Sequence, residues 1–380
     1  MSDFHHLIDV TEYEVLGELP DVFKLEDGMR ADTLEKWQAR RKELYQTAVE
    51  LQFGTIPPHP EVLEVEPLYF ADNQNTYRII AGTKEKQVSF HLILVHPDHE
   101  GPYKTVVDGD GCWGYIYDKD WYGQFASNDY AFAFFDRTEL GHDICGEGRR
   151  KGQLYEVYPE YTFGAVGAWA WGFRTTVDAL EKLGIIDKNM IAFSGHSRGG
   201  KAAVLAGVID ERACIVNPNE SGAGGCGCYR VHMKATMEEG GINRNEELKD
   251  LYTTFPFWMG EGMGEYLDRE AELPFDEHFL KALIAPRILL TGDAASDTWA
   301  NPVGAWQTNQ AVKEVYKFLG KEENLIWYYR KGYHSHKPED VKHLIDVMDH
   351  VSKGTELKEK YYETPFEEPE KIFSWQAPEK

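Results

Sequence analysis

Short apolar runs alternate with longer amphipathic stretches along most of this 380-residue chain. Continuous apolar runs of strand length are typical of strands buried on both faces of a sheet, and a 3.6-residue apolar period is typical of helices. Strands are predicted at 88–96, 105–107, 130–135, 190–193, 213–216, 287–291 and 325–329, and helices at 166–183, 201–208, 307–319 and 339–351. This alternation predicts a doubly wound α/β fold, with a mostly parallel sheet and helices on both faces.

The N-terminal part of the chain does not show this alternation of strands and helices. Residues 1–60 are predicted to be an N-terminal helical segment, in which one helix runs from Thr33 to Phe53. Gly54 and the prolines that follow it stop this helix, because neither residue type continues helical backbone well. Residues 61–354 are then predicted to form the main α/β domain.

Two further segments depart from the alternation. Residues 222–273 combine glycine, charge and aromatic residues, and we interpret them as an insertion that folds over the active site. Ligands in such sheets bind outside the carboxyl ends of the strands, so the insertion is expected to help form the pocket. Residues 355–380 are charged and contain prolines, and are predicted to be a C-terminal extension along the surface.

The most specific motif is G-x-S-x-G at 195–199, with Ser197 at its centre. It lies between an apolar strand and a helix of small residues. This is the strand–turn–helix context of the nucleophile elbow of α/β-hydrolases, in which the serine is projected above the sheet. Gly195 and Gly199 suit the crowding of strand and helix in that turn. Ser197 is therefore predicted to be a catalytic nucleophile in an α/β-hydrolase.

A serine nucleophile requires a base, and in α/β-hydrolases the histidine comes last in chain order, after the acid. The loop after the last predicted strand contains two histidines, His334 and His336. We favour His334 as the base, because it follows the Gly332 turn close behind the strand. His336 is the alternative.

The acid that orients the base has two plausible positions. Asp297 lies in the loop after strand 287–291, the usual location, with Asp293 nearer the strand. Glu220 directly follows the strand after the elbow helix. One of Asp297 and Glu220 is expected to orient the histidine, and the other to shape the pocket or share the role.

Donors for a developing oxyanion are expected beside the serine. The backbone N–H of Arg198 is the expected first donor, and its guanidinium could add a charged one. Lys201 lies one helical turn beyond Ser197 and is expected at the same mouth of the pocket.

Composition excludes several partner classes. The formal net charge of −24 argues against nucleic acid and anionic membranes, which require basic surfaces.

The five cysteines form no disulfide pattern, which favours free thiols in a reducing compartment. Cys226 and Cys228 lack a second ligand pair for a metal. Neither a metal nor a cofactor is predicted. With no apolar signal segment and no apolar run of spanning length, a cytoplasmic location is expected.

Several motifs together resemble the glucuronoyl esterases, a carbohydrate esterase family, and particularly their bacterial branch. The resemblance spans most of the chain, from Trp37 and Arg40-Arg41 to the histidine loop. It is carried by G-H-S-R-G-G-K-A-A at 195–203, E-S-G-A-G-G at 220–225, L-P-F-D-E-H at 273–278, A-L-I-A-P-R at 282–287 and W-A-N-P-V-G at 299–304.

The resemblance implies a metal-independent serine esterase that cleaves esters between an alcohol and a glucuronic acid. It matches Ser197 to the nucleophile, Arg198 to the oxyanion-supporting arginine, and Lys201 and Trp299 to residues that hold the uronate hydroxyls. Glu220 matches the acid of the fungal members and Asp297 the acid of many bacterial members. The bacterial loop pattern favours His334, and the fungal pattern would favour His336.

The chain also departs from the family. The cysteine that precedes the serine in fungal members is His196 here, and the expected cytoplasmic location suits a small uronate ester or oligosaccharide better than a lignin–carbohydrate polymer. The function predicted is a uronate carboxylesterase. The alternatives are an acetyl-xylan or cephalosporin-type carbohydrate deacetylase and a non-catalytic binding module on a hydrolase scaffold.

Overall fold

The computed structural model describes residues 12–239, 242–357 and 361–379. The strands are β1 Glu12–Val15, β2 Val62–Ala71, β3 Gln74–Gly82, β4 Gln87–Val95, β5 Tyr103–Asp108, β6 Ala131–Phe135, β7 Ile186–His196, β8 Ile215–Asn219, β9 Val231–Glu239, β10 Ile242–Arg244, β11 Ile288–Ala294 and β12 Leu325–Arg330. The helices are α1 Leu34–Leu44, α2 Leu51–Phe53, α3 Lys119–Ser127, α4 Leu154–Val157, α5 Ala165–Leu183, α6 Arg198–Ile209, α7 Leu248–Thr253, α8 Glu277–Ala282, α9 Pro302–Leu319 and α10 Pro338–Lys353.

Nine strands form one sheet in the order β12-β11-β8-β7-β5-β6-β4-β3-β2. The strands from β12 to β6 pair in parallel, whereas β4, β3 and β2 are antiparallel. The predicted fold class is therefore confirmed. The predicted strand 88–96 belongs to the antiparallel end, because the short turns joining β2, β3 and β4 are too short for a parallel crossover. The apolar pattern does not predict β2 and β3, because Glu64, Glu66 and Pro67 interrupt β2 and the first half of β3 is largely polar.

The parallel strands are buried on both faces. Along β6, Ala131, Ala133 and Phe135 belong to the core on one face of the sheet, where Phe135 contacts Phe173 of α5. Phe132 and Phe134 belong to the core on the other face, where Phe132 contacts Trp121 and Phe125 of α3. Because every residue of such a strand meets a helical layer, its sequence is continuously apolar rather than alternating. This is the physical reason why the apolar runs predicted the central strands.

The predicted helix from Thr33 to Phe53 is present in three parts. Thr33 caps α1, accepting a hydrogen bond from Lys36 N at 3.2 Å, and a π-helical turn at Tyr45–Glu50 joins α1 to α2. Gly54 ends it with φ 81°, where its Cα lies so close to the Thr162 carbonyl that a side chain would overlap it. Both predicted boundary signals are confirmed.

The region predicted as an insertion contains β9, β10 and α7. Strands β9 and β10 form a separate three-stranded sheet with β1. Aromatic side chains of this region, Phe255 and Trp258, lie against Arg198 at the start of α6, and its Glu246 pairs with Lys201. The region thus contacts the beginning of the elbow helix, although its predicted boundaries stay a prediction.

The C-terminal residues 361–379 lie along the body of the protein. Phe366 and Phe373 are buried, and the Trp375 indole N–H donates to the Leu19 carbonyl at 2.9 Å. Parts of the predicted terminal segments, residues 1–11, 358–360 and 380, lie outside the described residues. Among the described helices, none is long and apolar enough to cross a membrane.

Candidate active site

The predicted triad residues follow four adjacent parallel strands and lie at one edge of the sheet. Ser197 follows β7, Glu220 follows β8, Asp297 follows β11 and His334 follows β12, and these strands are neighbours in the order β12-β11-β8-β7. Because the carboxyl ends of parallel strands lie on the same edge, residues that are up to 137 positions apart in sequence become neighbours in space.

Ser197 occupies a sharp turn between β7 and α6. Its φ of 54° and ψ of −122° are strained for a serine, by about 1–3 kcal/mol, and such strain persists only where the surrounding structure fixes it. A side chain at Gly195 would overlap the Gly199 carbonyl, and one at Gly199 would overlap the Asp110 carboxylate. The geometry is that of a nucleophile elbow.

A group of charged residues lies at the base of this turn. We call it the elbow cluster, and its members are Asp108, Asp110, Arg137 and Asp143. Asp110 pairs with Arg137 and accepts hydrogen bonds from His196 N at 2.8 Å and from the Tyr115 hydroxyl at 2.5 Å. Burial and the nearby charge of Asp110 raise the pKa of Asp108 well above its ordinary value. This cluster was not predicted from the sequence, although the D-G-D-G run that starts at the last residue of β5 was a signal.

His334 lies in the loop between β12 and α10, next to the elbow. Its ring centroid is 4.7 Å from that of His196, the residue before Ser197. Nδ1 of His334 is 2.6 Å from Asp297 Oδ2 and 3.4 Å from Glu220 Oε2. Since an ionised carboxylate only accepts hydrogen bonds, Nδ1 is assigned the proton and Nε2 is left free to accept one.

Both predicted acids therefore meet the same histidine, as part of a second buried group. We call it the base cluster, and its members are Glu220, Asp297, Arg330 and Asp340. Glu220 pairs with Arg330 and accepts from Ser335 N at 2.8 Å, while Arg330 also donates to Asp340 at 2.9 Å. Burial and then the charge of Asp297 raise the pKa of Glu220 well above its ordinary value, against the opposing effect of Arg330.

His336, the alternative base, lies in a different environment. Its ring packs edge-on against Trp121 at 4.9 Å and Tyr115 at 5.2 Å. Burial lowers the pKa of His336 to about 3, so it is neutral at any ordinary working pH. The contacts with carboxylates belong to His334, and the geometry favours His334 as the base.

Arg198 begins α6 directly after the serine. Its guanidinium donates to both oxygens of Asp143, at 3.1 and 3.2 Å, and lies 4.5 Å from the Trp258 ring. Trp258 in turn donates its indole N–H to Asp143 at 2.9 Å. The arginine is thus fixed at the mouth of the site by one carboxylate and by the aromatic residues of the insertion.

Lys201 is more deeply buried than the sequence analysis expected. Its ammonium group donates to the carbonyls of Ser221 and Ala223 and to Glu246 Oε2, each at 2.6 Å, which occupies all three of its protons. Glu246, which the sequence analysis missed, also donates its backbone N–H to the carbonyl of the partly exposed Trp299, at 2.9 Å. Glu246 lies within the predicted insertion, and no sequence motif marks it.

Three side chains of the site have metal-binding atoms close together. Donor atoms of His196, Glu220 and His334 lie within 4.8 Å of one another. Glu220 is already paired with Arg330, and His334 Nδ1 with Asp297. A guanidinium in contact with a carboxylate disfavours a second cation there, so this donor set suits proton transfer better than metal binding.

The fold and the arrangement of Ser197, His334 and two carboxylates define a protein of the α/β-hydrolase class. The family model "Glucuronyl esterase, fungi" matches residues 79–320. The chain belongs to the glucuronoyl esterase family.

Curated relatives are similar over most of the chain. The 4-O-methyl-glucuronoyl methylesterases of Podospora anserina and Hypocrea jecorina are 27% and 29% identical over 85% and 84% of this chain. The match covers 64% and 66% of those two proteins, so the chain spans about two thirds of their length.

Solved structures of the family superpose on nearly the whole chain. A carbohydrate esterase family 15 glucuronoyl esterase from Caldicellulosiruptor kristjansonii has a TM-score of 0.83 and 28% identity, covering 96% of this chain and 98% of its own. The glucuronoyl esterase catalytic domain from Hypocrea jecorina has a TM-score of 0.78 and 25% identity, covering 97% and 98%.

Proposed function

We propose that this protein is a serine carboxylesterase that hydrolyses esters of uronic acids, of the 4-O-methylglucuronoyl type. The observation that carries the proposal is that Ser197 lies in a strained elbow whose preceding residue, His196, packs against His334 at 4.7 Å between ring centroids, while Asp297 holds Nδ1 of His334 at 2.6 Å. The family relationship supplies the substrate class, since the curated relatives are named as 4-O-methyl-glucuronoyl methylesterases.

The reaction follows from the positions of the groups. Ser197 Oγ attacks the ester carbonyl while His334 Nε2 takes its proton, and the positive imidazolium is stabilised by Asp297 and Glu220. His334 then returns the proton to the leaving alcohol, and an acyl-enzyme remains on Ser197. Water, activated by His334, releases the uronic acid.

Charge that develops on the carbonyl oxygen needs fixed donors. We assign the first donor to the backbone N–H of Arg198, and a supporting positive charge to its guanidinium, which Asp143 and Trp258 hold in place. Donors that are fixed before the reaction need no reorganisation in the transition state, which is what makes them effective.

The sugar hydroxyls are assigned to Trp299 and to the Lys201–Glu246 pair. Because the three protons of Lys201 are engaged within the protein, a hydroxyl reaches this pair by sharing one of those protons or by donating to Glu246. Trp299, partly exposed beside Glu246, offers an apolar face to the sugar ring.

A cytoplasmic location for the enzyme stays a prediction.

The proposal is tested with an ester panel. Wild type should hydrolyse methyl glucuronate and release methanol, and Ser197→Ala should abolish the reaction while the melting temperature is retained. An acetylated sugar hydrolysed faster than the glucuronate ester would instead favour the deacetylase alternative, in which the sugar is the alcohol. Retained activity in Ser197→Ala would exclude the mechanism.

A second measurement does not depend on the substrate. A fluorophosphonate probe reacts with an activated serine and should label wild type at Ser197 but not Ser197→Ala. Absence of labelling in the folded wild type would favour the binding-module alternative.

A further inference from the structure

A third histidine, His196, lies against the base and has no assigned role. Its ring centroid is 4.7 Å from that of His334, with the ring planes tilted by 39°, and 5.4 Å from that of His336, with the planes nearly parallel. His196 is almost completely buried and directly precedes Ser197. It therefore contacts the base from the side of the nucleophile.

The orientation and tautomer of His196 are fixed by its neighbours. Asn219 donates its amide N–H to the Tyr328 hydroxyl at 3.2 Å, which leaves Asn219 Oδ1 as the atom that faces His196 Nδ1, at 2.8 Å. The amide oxygen can only accept, so Nδ1 of His196 carries the proton. At the other end of the residue, its backbone N–H donates to Asp110 in the elbow cluster at 2.8 Å.

The surroundings also keep His196 neutral. The titratable and charged groups around it come from four parts of the chain: Asp110 and Tyr115 after β5, Glu220 after β8, Arg330 at the end of β12, and His334 and His336 after it. Burial, and then any charge on the other two histidines, hold the pKa of His196 well below its ordinary value. A neutral ring at this place does not repel the imidazolium that His334 becomes during catalysis.

We propose that His196 is a positioning residue for the catalytic base. Fixed by Asn219 and Asp110, its neutral ring limits the tilt of His334 and links the base directly to the backbone of the elbow. The proposal rests on the proposed serine-esterase function, because it assigns His196 an effect on Ser197 chemistry through His334. Catalysis is sensitive to such placement, since a misplacement of about 1 Å can cost about 100-fold in rate.

The test compares His196→Ala with His196→Phe. Removal of the ring should slow both kcat and the labelling of Ser197 by a fluorophosphonate about 10- to 100-fold, with KM nearly unchanged. Phenylalanine keeps an aromatic ring but not the hydrogen bond to Asn219, so it should restore most of the lost rate. Failure of His196→Phe to exceed His196→Ala would overturn the ring-packing role.

A matched control separates positioning from stability. His278 is also a buried histidine; burial lowers its pKa to about 4, and it packs against Trp375 rather than against His334. His278→Ala should lower the melting temperature but leave the labelling rate of Ser197 unchanged. If His196→Ala behaves in the same way, His196 is merely structural and the proposal is wrong.

The labelling rate also keeps the two proposals distinguishable. If wild type is labelled at Ser197 but hydrolyses no uronate ester, the substrate assignment fails while the positioning role of His196 is still measured.

Discussion

The elbow cluster and the base cluster each contain one fully buried arginine and three carboxylates. In the elbow cluster, Asp110 bonds to the backbone of His196 and Asp143 to the side chain of Arg198, so the charges fix the conformation of the turn. In the base cluster, Asp297 and Glu220 converge on an imidazole that can gain a proton.

The difference lies in what the carboxylates contact rather than in their number. A carboxylate bonded to a backbone N–H or an arginine holds geometry, because those groups do not change charge near neutral pH. A carboxylate bonded to a histidine stabilises one protonation state over the other. Composition alone therefore does not distinguish a structural ion cluster from a catalytic one, and the following predictions separate them.

The largest effect is expected at a buried carboxylate outside both clusters, Glu277, whose hydrogen-bond partners include the Gln52 amide rather than an arginine. Burial and the charge of Asp276 raise the pKa of Glu277 to about 8, above its ordinary value of 4.5. Stability given by the neutral carboxyl is present below pH 4.5 and is lost as pH rises towards 8. Relative to Glu277→Gln, wild type should lose about 1.4 kcal/mol per pH unit over this interval.

Urea unfolding of both proteins at pH 5 and pH 8 measures this effect. Glu272→Gln, at an exposed surface pair with Arg269, is the control and should show no such pH dependence. A constant difference between wild type and Glu277→Gln at the two pH values would contradict the prediction. The result measures how far burial shifts the pKa of a carboxyl group that has no arginine partner of the kind found in both clusters.

Removal of the buried arginines comes next. Arg330→Met and Arg137→Met should each lower the free energy of unfolding by about 3–5 kcal/mol, since each leaves a buried carboxylate without its counter-charge. Glu220→Gln should recover part of the loss in Arg330→Met but none in Arg137→Met. Equal recovery in both would mean that the two clusters are not independent, and Arg269→Met at the surface serves as the control.

The two acids of the base cluster should differ in catalysis. Asp297→Asn should lower kcat about 1,000-fold, because an amide N–H facing His334 Nδ1 imposes the wrong tautomer. Asp297→Ala should cost less, about 100-fold, because Glu220 at 3.4 Å is left to orient the ring. Steady-state kinetics with a uronate ester measure both. A larger loss in Glu220→Gln than in Asp297→Asn would identify Glu220 as the main acid.

The smallest effect is expected from Asp110→Asn. The amide keeps one acceptor oxygen for the elbow but loses the charge that pairs with Arg137. Stability should fall by about 1–2 kcal/mol, less than in Arg137→Met, because Arg137 keeps Asp143 as a counter-charge at 3.6 Å. The pH midpoint of kcat should stay that of wild type, because the carboxylates that contact His334, Asp297 and Glu220, belong to the base cluster. A shifted midpoint in the pH–rate profile would show that Asp110 acts on His334 electrostatically and would break the distinction between the clusters.

The sequence predicted the parallel strands, the first helix and the elbow, because each of these depends on residues that are close together in the chain. The apolar runs predicted the parallel strands, Thr33 and Gly54 predicted the limits of the first helix, and G-x-S-x-G predicted the elbow. These signals are local because burial on both faces, helix capping and a strained turn each constrain residues within a few positions. Strands β2 and β3 escaped prediction because charged residues and a proline interrupt the apolar pattern of β2, and polar residues fill the first half of β3.

The sequence by itself determined the fold class, the family and the identity of the candidate nucleophile. Only the tertiary structure decided which histidine meets the carboxylates, that both Asp297 and Glu220 reach it, and that Arg137, Arg330 and Glu246 complete the buried ion pairs. Contacts between residues that are tens to more than a hundred positions apart depend on strand order and on loop paths. No local sequence pattern encodes strand order or loop paths. The packing of the complete sheet determines both.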